Sequence, residues 1–132
     1  MDKTKILVVD DNPTIRKGLS VRLRANGYEV SFAEDAISAT AAVVAERPDL
    51  VLLDLGLPAG DGFVVMERLQ KNDRLSNIPV IVLTGREVSG NRDRALQAGA
   101  TAFFQKPVDD VVLLFAIRKA LDVSRGELRF DE

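Results

Sequence analysis

The fold is decided by one stretch in the middle of the chain, Leu50-Val51-Leu52-Leu53-Asp54-Leu55-Gly56-Leu57-Pro58-Ala59-Gly60-Asp61-Gly62. It opens with a short aliphatic run that has the length of a strand buried on both faces of a sheet. Asp54 ends this run, and the proline and glycines that follow mark where the strand leaves the sheet. We therefore expect Asp54 to lie at the rim of a sheet, where an apolar strand meets solvent.

The composition is that of one ordinary domain. The chain has 132 residues, of which 46% are hydrophobic and 5% aromatic, so we expect an aliphatic core that is stable without disulfides or other cross-links. The net charge of -2 argues against a general nucleic-acid or membrane-surface binder. Cysteine and histidine are absent, which excludes disulfides, thiolate or imidazole metal ligands and phosphohistidine chemistry within this chain. The apolar run near the N-terminus is too short for a signal peptide or a membrane span, which favours a cytoplasmic protein.

Short apolar runs alternate along the chain with segments of helical periodicity. The predicted strands are Ile6–Val9, Tyr28–Ala33, the aliphatic run before Asp54, Ile78–Leu83 and Thr101–Gln105. The predicted helices are Ile15–Leu23 with a stop at Asn26-Gly27, Ala36–Ala45, Gly62–Lys71, Ser89–Ala98 and Val108–Leu121. This alternation predicts a doubly wound α/β domain, a parallel sheet covered by helices. The fourth helix is arginine-rich with few apolar anchors, which fits a solvated helix face slightly better than a mobile element.

Polar residues follow four of the five predicted strands. Ligands of open parallel sheets bind beyond the carboxyl ends of the strands, so residues at those ends are expected to converge. The residues in question are Asp10 and Asp11 after the first strand, Asp54 after the third, Thr84 after the fourth and Lys106 after the fifth. Single acidic residues after strands are common helix caps, and Glu34-Asp35 after the second strand is interpreted that way. Four matched positions on one rim are harder to attribute to capping.

The charges of these residues indicate phosphoryl-transfer chemistry. Three carboxylates in one cluster, opposed by one lysine, favour a bound cation. Oxygen ligands without histidine or cysteine favour Mg²⁺, Mn²⁺ or Ca²⁺, and Mg²⁺ typically keeps waters and a phosphate oxygen among its ligands. An aspartate nucleophile, a metal ion, a lysine charge and a hydroxyl donor together suit a transition state whose charge is spread over phosphoryl oxygens.

With these residues placed, the chain from about Lys5 to Leu121 resembles the receiver domains of two-component response regulators. The resemblance rests on four motifs in family order and at family spacing, Ile6-Leu7-Val8-Val9-Asp10-Asp11, Asp54-x-x-x-Pro58-x-x-x-Gly62, Val82-Leu83-Thr84-Gly85 and Lys106-Pro107. It implies a flavodoxin-like, five-stranded parallel sheet in the order 2-1-3-4-5 with five helices. The receiver domain would occupy residues 1–122, and residues 123–132 would form a tail that frays or begins a linker.

The resemblance also implies roles for the rim residues. Asp54 would be the phosphorylated aspartate, which accepts its phosphoryl group from the phosphohistidine of a partner. Thr84 would donate a hydrogen bond to one phosphoryl oxygen in the active state, and Lys106 would pair with another. Phe103 stands where the family carries its switch aromatic, although a place in the ordinary core is an equally good interpretation. The Lys106-Pro107 bond is usually cis in the family.

The same resemblance implies a magnesium site. Asp11 would bind Mg²⁺ directly together with Asp54, the main-chain carbonyl of Gly56 would complete the protein ligands, and Asp10 would act mainly through water. The competing interpretation is that Asp10 and Asp11 cap the first helix without binding a metal.

Three positions depart from the usual family pattern. Gly56 replaces a larger side chain, so access of water to an acyl phosphate is expected to differ. Arg86 is a long cation near the same opening and would either slow hydrolysis or contact a partner. Phe103 lacks the hydroxyl of the commoner tyrosine, so packing alone would drive any inward rotation.

The expected function is a signalling switch with a sensor histidine kinase or histidine phosphotransfer protein upstream. A downstream protein or fused output domain would read the face formed by the fourth helix, the fifth strand and the fifth helix, and a phosphorylation-dependent homodimer through this face is a further expectation. Direct contact with nucleic acid or membrane is not expected. The alternatives are a phosphorylation-independent interaction module and a Mg²⁺-dependent aspartyl-phosphate phosphatase. The ten or so residues after the receiver-like region are too few for an output domain, which leaves open a stand-alone regulator or one domain of a longer protein.

Overall fold

The computed structural model describes residues 3–126 and contains five strands and five helices. The strands are β1 (Lys5–Val9), β2 (Glu29–Ala33), β3 (Leu50–Leu53), β4 (Val80–Thr84) and β5 (Ala102–Gln105). The helices are α1 (Pro13–Ala25), α2 (Ala36–Glu46), α3 (Gly62–Gln70), α4 (Asn91–Gln97) and α5 (Asp110–Ser124). All strand pairs are parallel and the order is β2-β1-β3-β4-β5, which confirms the predicted doubly wound α/β fold.

Two aliphatic layers cover the sheet, one on each face. Every residue of β3 and β4 is buried, as a strand with helices on both faces requires. One layer lies under α1 and α5 and includes Leu23 and Ile117, while the other lies under α2, α3 and α4 and includes Val43 and Met66. Burying both faces of the central strands leaves only the strand ends to meet solvent, and this places Asp54 at the rim. None of the helices within residues 3–126 is long and apolar enough to cross a membrane.

Helix boundaries follow the caps. Asn12 caps α1, because its side-chain oxygen accepts hydrogen bonds from the Thr14 and Ile15 N–H groups, and Pro13 occupies the first turn. The interpretation of Asp10 and Asp11 as the caps of this helix is therefore wrong.

Asp35 caps α2 in a reciprocal arrangement with Ser38, which confirms its assignment as a helix cap. The hydrogen bond from the Ser38 N–H lowers the pKa of Asp35, as does the Ser38 hydroxyl, so the cap carries its charge readily.

Strand β4 and helix α5 start later than the sequence predicts, and strands β2 and β5 each start one residue later, at Glu29 and Ala102. The fourth strand was expected from Ile78, but β4 begins at Val80, because Pro79 has no N–H and pairs only through its carbonyl, which accepts from Val51 N–H at 3.0 Å. The fifth helix was expected over Val108–Leu121, but it starts after its cap Asp109 and continues to Ser124. The predicted tail thus begins inside α5, and residues 127–132 of that tail lie outside the described residues.

Helix α4 is the least anchored helix. It has seven residues, its N-terminus at Gly90 lacks a side-chain cap, and its buried residue is Ala95. The predicted range Ser89–Ala98 was longer than the helix, while the expectation of few apolar anchors is confirmed. The Arg94 guanidinium lies 3.7 Å above the centre of the Phe63 ring, so a cation–π contact fixes α4 to the start of α3.

The loop after Asp54 is closed by Gly62. The Gly62 N–H donates to the Leu55 carbonyl at 2.9 Å, and a Cβ on this residue would lie 2.6 Å from the Asp54 carbonyl oxygen and 2.9 Å from Leu55 Cα. Both obstacles are backbone, so they cannot move without shifting Asp54 itself. The glycine in the family-like motif therefore holds the rim loop against the strand end.

We expect Gly62→Ala to lower the free energy of unfolding by roughly 1–3 kcal/mol, as overpacking does elsewhere. Urea denaturation measures this. Gly18→Ala is the matched control, because Gly18 lies inside α1 and an added Cβ meets only the tip of Arg22 at 3.9 Å. That substitution should raise stability by roughly 0.5–1 kcal/mol. Equal stability of Gly62→Ala and wild type would contradict the close packing of the loop.

Candidate functional site

Backbone pairing that continues past the strand ends positions the rim residues. The Asp54 N–H donates to the Val9 carbonyl at 2.9 Å, and the Asp10 N–H donates to the Ala33 carbonyl at 3.1 Å. At the other side of the site, the Lys106 N–H donates to the Thr84 carbonyl at 2.7 Å. The sheet itself therefore sets the spacing of the side chains.

Asp54 lies at the centre of this edge. The Thr84 hydroxyl donates to its Oδ1 at 2.6 Å, and the Gly56 N–H reaches the same oxygen at 3.2 Å. The Lys106 Nζ lies 3.4 Å from its other oxygen, Oδ2. Asp54 is only 8% exposed, so these donors act on it with little competition from water.

Lys106 joins two carboxylates. Its ammonium donates a short hydrogen bond to Asp10 Oδ2 as well as lying against Asp54. Asp10 is 3% exposed, and its Oδ1 accepts the Asn12 N–H at 2.9 Å. The buried acidic pair is therefore held by one cation and by backbone donors.

Arg16 is a neighbour of the site for which the sequence gives no signal. Its Nη1 donates to the Asp10 main-chain carbonyl at 2.7 Å and so fixes the end of β1. In sequence, a helix arginine at this distance from Asp10 looks like any solvated charge.

An acidic cluster suited to a divalent cation forms at the same edge. Asp10, Asp11 and Asp54 each offer a carboxylate oxygen, and these oxygens lie within 4.8 Å of one another. Asp11 is exposed while the other two are buried, so the cluster opens toward solvent on the Asp11 side. Hard oxygen donors facing one lysine fit Mg²⁺ or a similar cation. The Gly56 N–H contacts Asp54, and a role of the Gly56 carbonyl at a metal site stays a prediction.

The two predicted switch residues are both buried. Thr84 is 0% exposed, and besides its bond to Asp54 its oxygen accepts the Arg86 N–H at 3.3 Å. Phe103 is 5% exposed and packs in the layer that α2, α3 and α4 share. The Phe103 side chain has no hydrogen-bonding group, and its switch role stays a prediction. The Lys106-Pro107 peptide is cis, as the resemblance implied.

Arg86 and Asp61 lie beside the open position at Gly56. A Cβ on Gly56 would have Arg86 Nε as its neighbour, at 4.0 Å. Arg86 Nη1 lies 3.7 Å from Asp61 Oδ2, an ion pair between the loop after β4 and the loop after β3. The sequence pointed to Gly56 and Arg86 but not to Asp61, because that partner is fixed only by the approach of the two loops.

The chain is similar in sequence to known proteins. The family model of the response regulator receiver domain matches residues 6–118. The response regulator PleD of Caulobacter vibrioides is 38% identical over 128 residues, which are 97% of this chain and 28% of PleD. The DNA-binding dual master transcriptional regulator RpaA of a Synechocystis strain is 38% identical over 117 residues, 89% of this chain and 48% of RpaA. The chain thus spans about half or less of these curated relatives.

Solved structures match the whole fold. A CheY-like receiver domain protein from Methanospirillum hungatei JF-1 superposes with a TM-score of 0.88 at 32% identity and covers 96% of this chain and 100% of that one. The receiver domain of the sensor histidine kinase PA1611 from Pseudomonas aeruginosa has a TM-score of 0.83 at 29% identity, over 91% of this chain and 98% of that one. The PA1611 domain is described with a magnesium ion coordinated in its active site cleft.

Proposed function

The chain belongs to the response regulator receiver domains, and from this premise we propose that it is a phosphoacceptor switch in which Asp54 is the acceptor. One observation carries the proposal. The Asp54 carboxylate meets a hydroxyl donor, Thr84, at 2.6 Å and an ammonium, Lys106, at 3.4 Å, at the edge where the strands end.

The chemistry proposed for Asp54 is attack by a carboxylate oxygen on phosphorus. A P–O bond to Asp54 forms while the P–N bond of the donor's phosphohistidine breaks, and the imidazole leaves. Lys106 and Thr84 contact the Asp54 oxygens, which supports a role for both in binding phosphoryl oxygens at this position. Donors held in advance stabilise the charge that develops during transfer.

A magnesium ion fits the acidic side of the site. Asp11, Asp54 and the Gly56 carbonyl would hold it directly, and Asp10 would act through water. When bound, the cation would neutralise negative charge on the transferring group. The donor set supports this assignment, because oxygens of three carboxylates lie within 4.8 Å of one another while one lysine pairs with only two of these residues, Asp10 and Asp54.

The test of the proposal is labelling by a small-molecule phosphodonor such as acetyl phosphate. We expect intact-mass spectrometry to find one phosphoryl group per chain with Mg²⁺ and none after chelation.

Asp11→Asn should weaken Mg²⁺ binding by about tenfold or more, because it removes a charged oxygen ligand. Titration calorimetry measures that affinity, with Asp73→Asn as an exposed acidic control. Full labelling in the presence of a chelator would contradict the metal assignment.

The proposed output is a shift in the face formed by α4, β5 and α5, linked to Asp54 through Thr84 and Phe103. Two features support this face. Helix α4 buries only Ala95, so a shift in its position costs little free energy. Helix α5 presents Val111 and Phe115 to solvent, 75% and 68% exposed, which suits a docking surface.

The proposed partners are a sensor histidine kinase or histidine phosphotransfer protein upstream and a downstream protein or fused output domain. A homodimer through the same face and a cytoplasmic location belong to the proposal as well.

A turnover enzyme is the second candidate, and Gly56 argues against it. Phosphatases that use an aspartyl phosphate usually carry a carboxylate two residues after the nucleophile as acid–base catalyst, and here glycine occupies that position. Sustained hydrolysis of a phosphate ester by the purified chain would favour the enzyme. A phosphorylation-independent interaction module would be favoured by an absence of Mg²⁺ binding.

A further inference from the structure

We propose that helix α2 is an interaction surface for a second copy of this chain, which packs antiparallel against it about a two-fold axis at Ala41. The contact is made by the outward stripe of α2, which consists of Ile37, Ala41, Val44 and Ala45. This surface is independent of the acceptor role of Asp54, and it lies apart from the face formed by α4, β5 and α5.

The first supporting observation is that α2 is apolar on both of its sides. Residues 37, 41, 44 and 45 share one side of the helix because an α-helix repeats every 3.6 residues. All four are exposed, Ile37 by 63% and Val44 by 57%. On the opposite side Ala36, Ala39 and Val43 are buried. A helix that is apolar all round is normally covered on every side, so the outward stripe suits an interface.

The second observation is that the stripe carries no charge. Glu46 is the only charged residue of α2, whereas each of the other four helices within residues 3–126 carries at least two. Glu46 lines a recess beside β2 with Lys5 and Glu29, so it lies off the outward stripe. The solvated face of a surface helix ordinarily carries charged residues, and α2 lacks them.

The third observation is that the polar side chains of α2 next to the stripe already have partners within the helix. The Thr40 hydroxyl donates to the Ala36 carbonyl at 2.9 Å. The Ser38 hydroxyl accepts the Asp35 N–H and donates to the Asp35 carbonyl, both at 3.3 Å. Covering this side of the helix would therefore leave neither hydroxyl without a hydrogen bond, which removes the usual cost of burying polar groups.

The stripe is complementary to itself in size, which is why a second copy is the proposed occupant. Ala41 is the middle residue of α2, which spans Ala36–Glu46. Two antiparallel copies that meet at Ala41 bring their smallest side chains together, so the helices can approach closely. Ile37 of each copy then lies opposite Ala45 of the other, a large side chain against a small one. Such a self-complementary patch is what a two-fold interface requires.

The charges at the ends of α2 favour the same antiparallel arrangement. Glu34 and Asp35 precede the helix and Arg47 follows it. In antiparallel copies the two acidic residues of one lie at the end where the other carries Arg47. A parallel arrangement would instead bring the acidic ends together, along with the like ends of the helix dipoles.

The size of the stripe limits the strength of the dimer. Standard interfaces bury about 800 Å² on each partner, and the outward side of one eleven-residue helix provides less. We therefore expect a reversible dimer that is half associated at roughly 10–100 µM chain.

Sedimentation equilibrium of the unphosphorylated chain over a range of concentrations measures this association. Ala41→Glu should weaken it by about tenfold or more, because the two carboxylates would face each other at the two-fold axis. Ala41→Lys should weaken it to a similar extent. A mixture of the two variants should associate at least as well as wild type, since each copy then meets the opposite charge. Val21→Glu is the matched control, because Val21 is 64% exposed on α1, which covers the other face of the sheet, and it should associate like wild type.

Circular dichroism should show that both Ala41 variants are folded, since an exposed helix position accepts glutamate and lysine readily. Wild-type chain that stays monomeric up to roughly 1 mM would overturn the proposal. So would a dimer that survives Ala41→Glu, or a mixture of the two variants that stays monomeric. A dimer that forms only after phosphorylation and is lost in Phe115→Glu would place the interface on α5 and also overturn it. Failure of the chain to accept a phosphoryl group would refute the proposed function and leave this dimer untouched.

Discussion

Asp54→Asn is expected to abolish labelling by acetyl phosphate, the largest effect that any single substitution should have on the chemistry. The amide lacks the charged oxygen that attacks phosphorus, so no acyl phosphate can form at this position. The amide oxygen can still accept from the Thr84 hydroxyl and the Gly56 N–H, which hold Oδ1 in the native carboxylate. The variant should therefore fold while losing the reaction.

The controls for this variant separate chemistry from folding. Asp73→Asn removes an exposed carboxylate outside the site and should label like wild type. Circular dichroism and urea denaturation should show that Asp54→Asn is folded. Asp54 also belongs to the cluster of like charges, so its neutralisation should leave stability unchanged or raise it. A folded Asp54→Asn protein that labels at the wild-type rate would refute the acceptor assignment.

Lys106→Met is expected to have the second largest effect, and on two quantities at once. It removes the ammonium that lies against Asp54 and Asp10, so the rate of labelling should fall by roughly 10²–10³, the range found for lost charge-stabilising donors. It also leaves two buried carboxylates without their shared cation, and the free energy of unfolding without Mg²⁺ should fall by roughly 1–3 kcal/mol.

Lys71→Met is the matched control for Lys106→Met. Lys71 pairs with Glu67 one helical turn away, and its side chain is 74% exposed. Loss of such a pair should change stability by less than about 0.5 kcal/mol, and the labelling rate should stay at the wild-type value. A Lys106→Met protein that matches Lys71→Met in both measurements would show that the contacts of Lys106 have no energetic role.

Much of the fold could be predicted from the sequence because the aliphatic runs are long enough to demand burial on both faces. The position of Asp54 follows directly from the end of such a run. The convergence of Asp10, Thr84 and Lys106 on Asp54 follows from the rule that parallel strands present their carboxyl ends at one edge. These expectations need only local pattern and topology.

Features that depend on how separate segments approach one another could not be predicted in the same way. The sequence does not say which apolar positions of the first helix face the sheet: Val21 is 64% exposed, whereas Leu19 and Leu23 are buried. Phe103 and Phe104 are adjacent and similar, and only the direction of β5 sends them to opposite layers. The pairing of Asp61 with Arg86 likewise arises only where two loops meet.

The most direct test of the whole account is to locate the phosphoryl group on the wild-type chain. After treatment with acetyl phosphate and Mg²⁺, borohydride reduction converts an aspartyl phosphate into a stable alcohol that tandem mass spectrometry assigns to one residue. The account predicts that Asp54 alone carries the reduced side chain. A reduced residue elsewhere, with Asp54 intact, would contradict it.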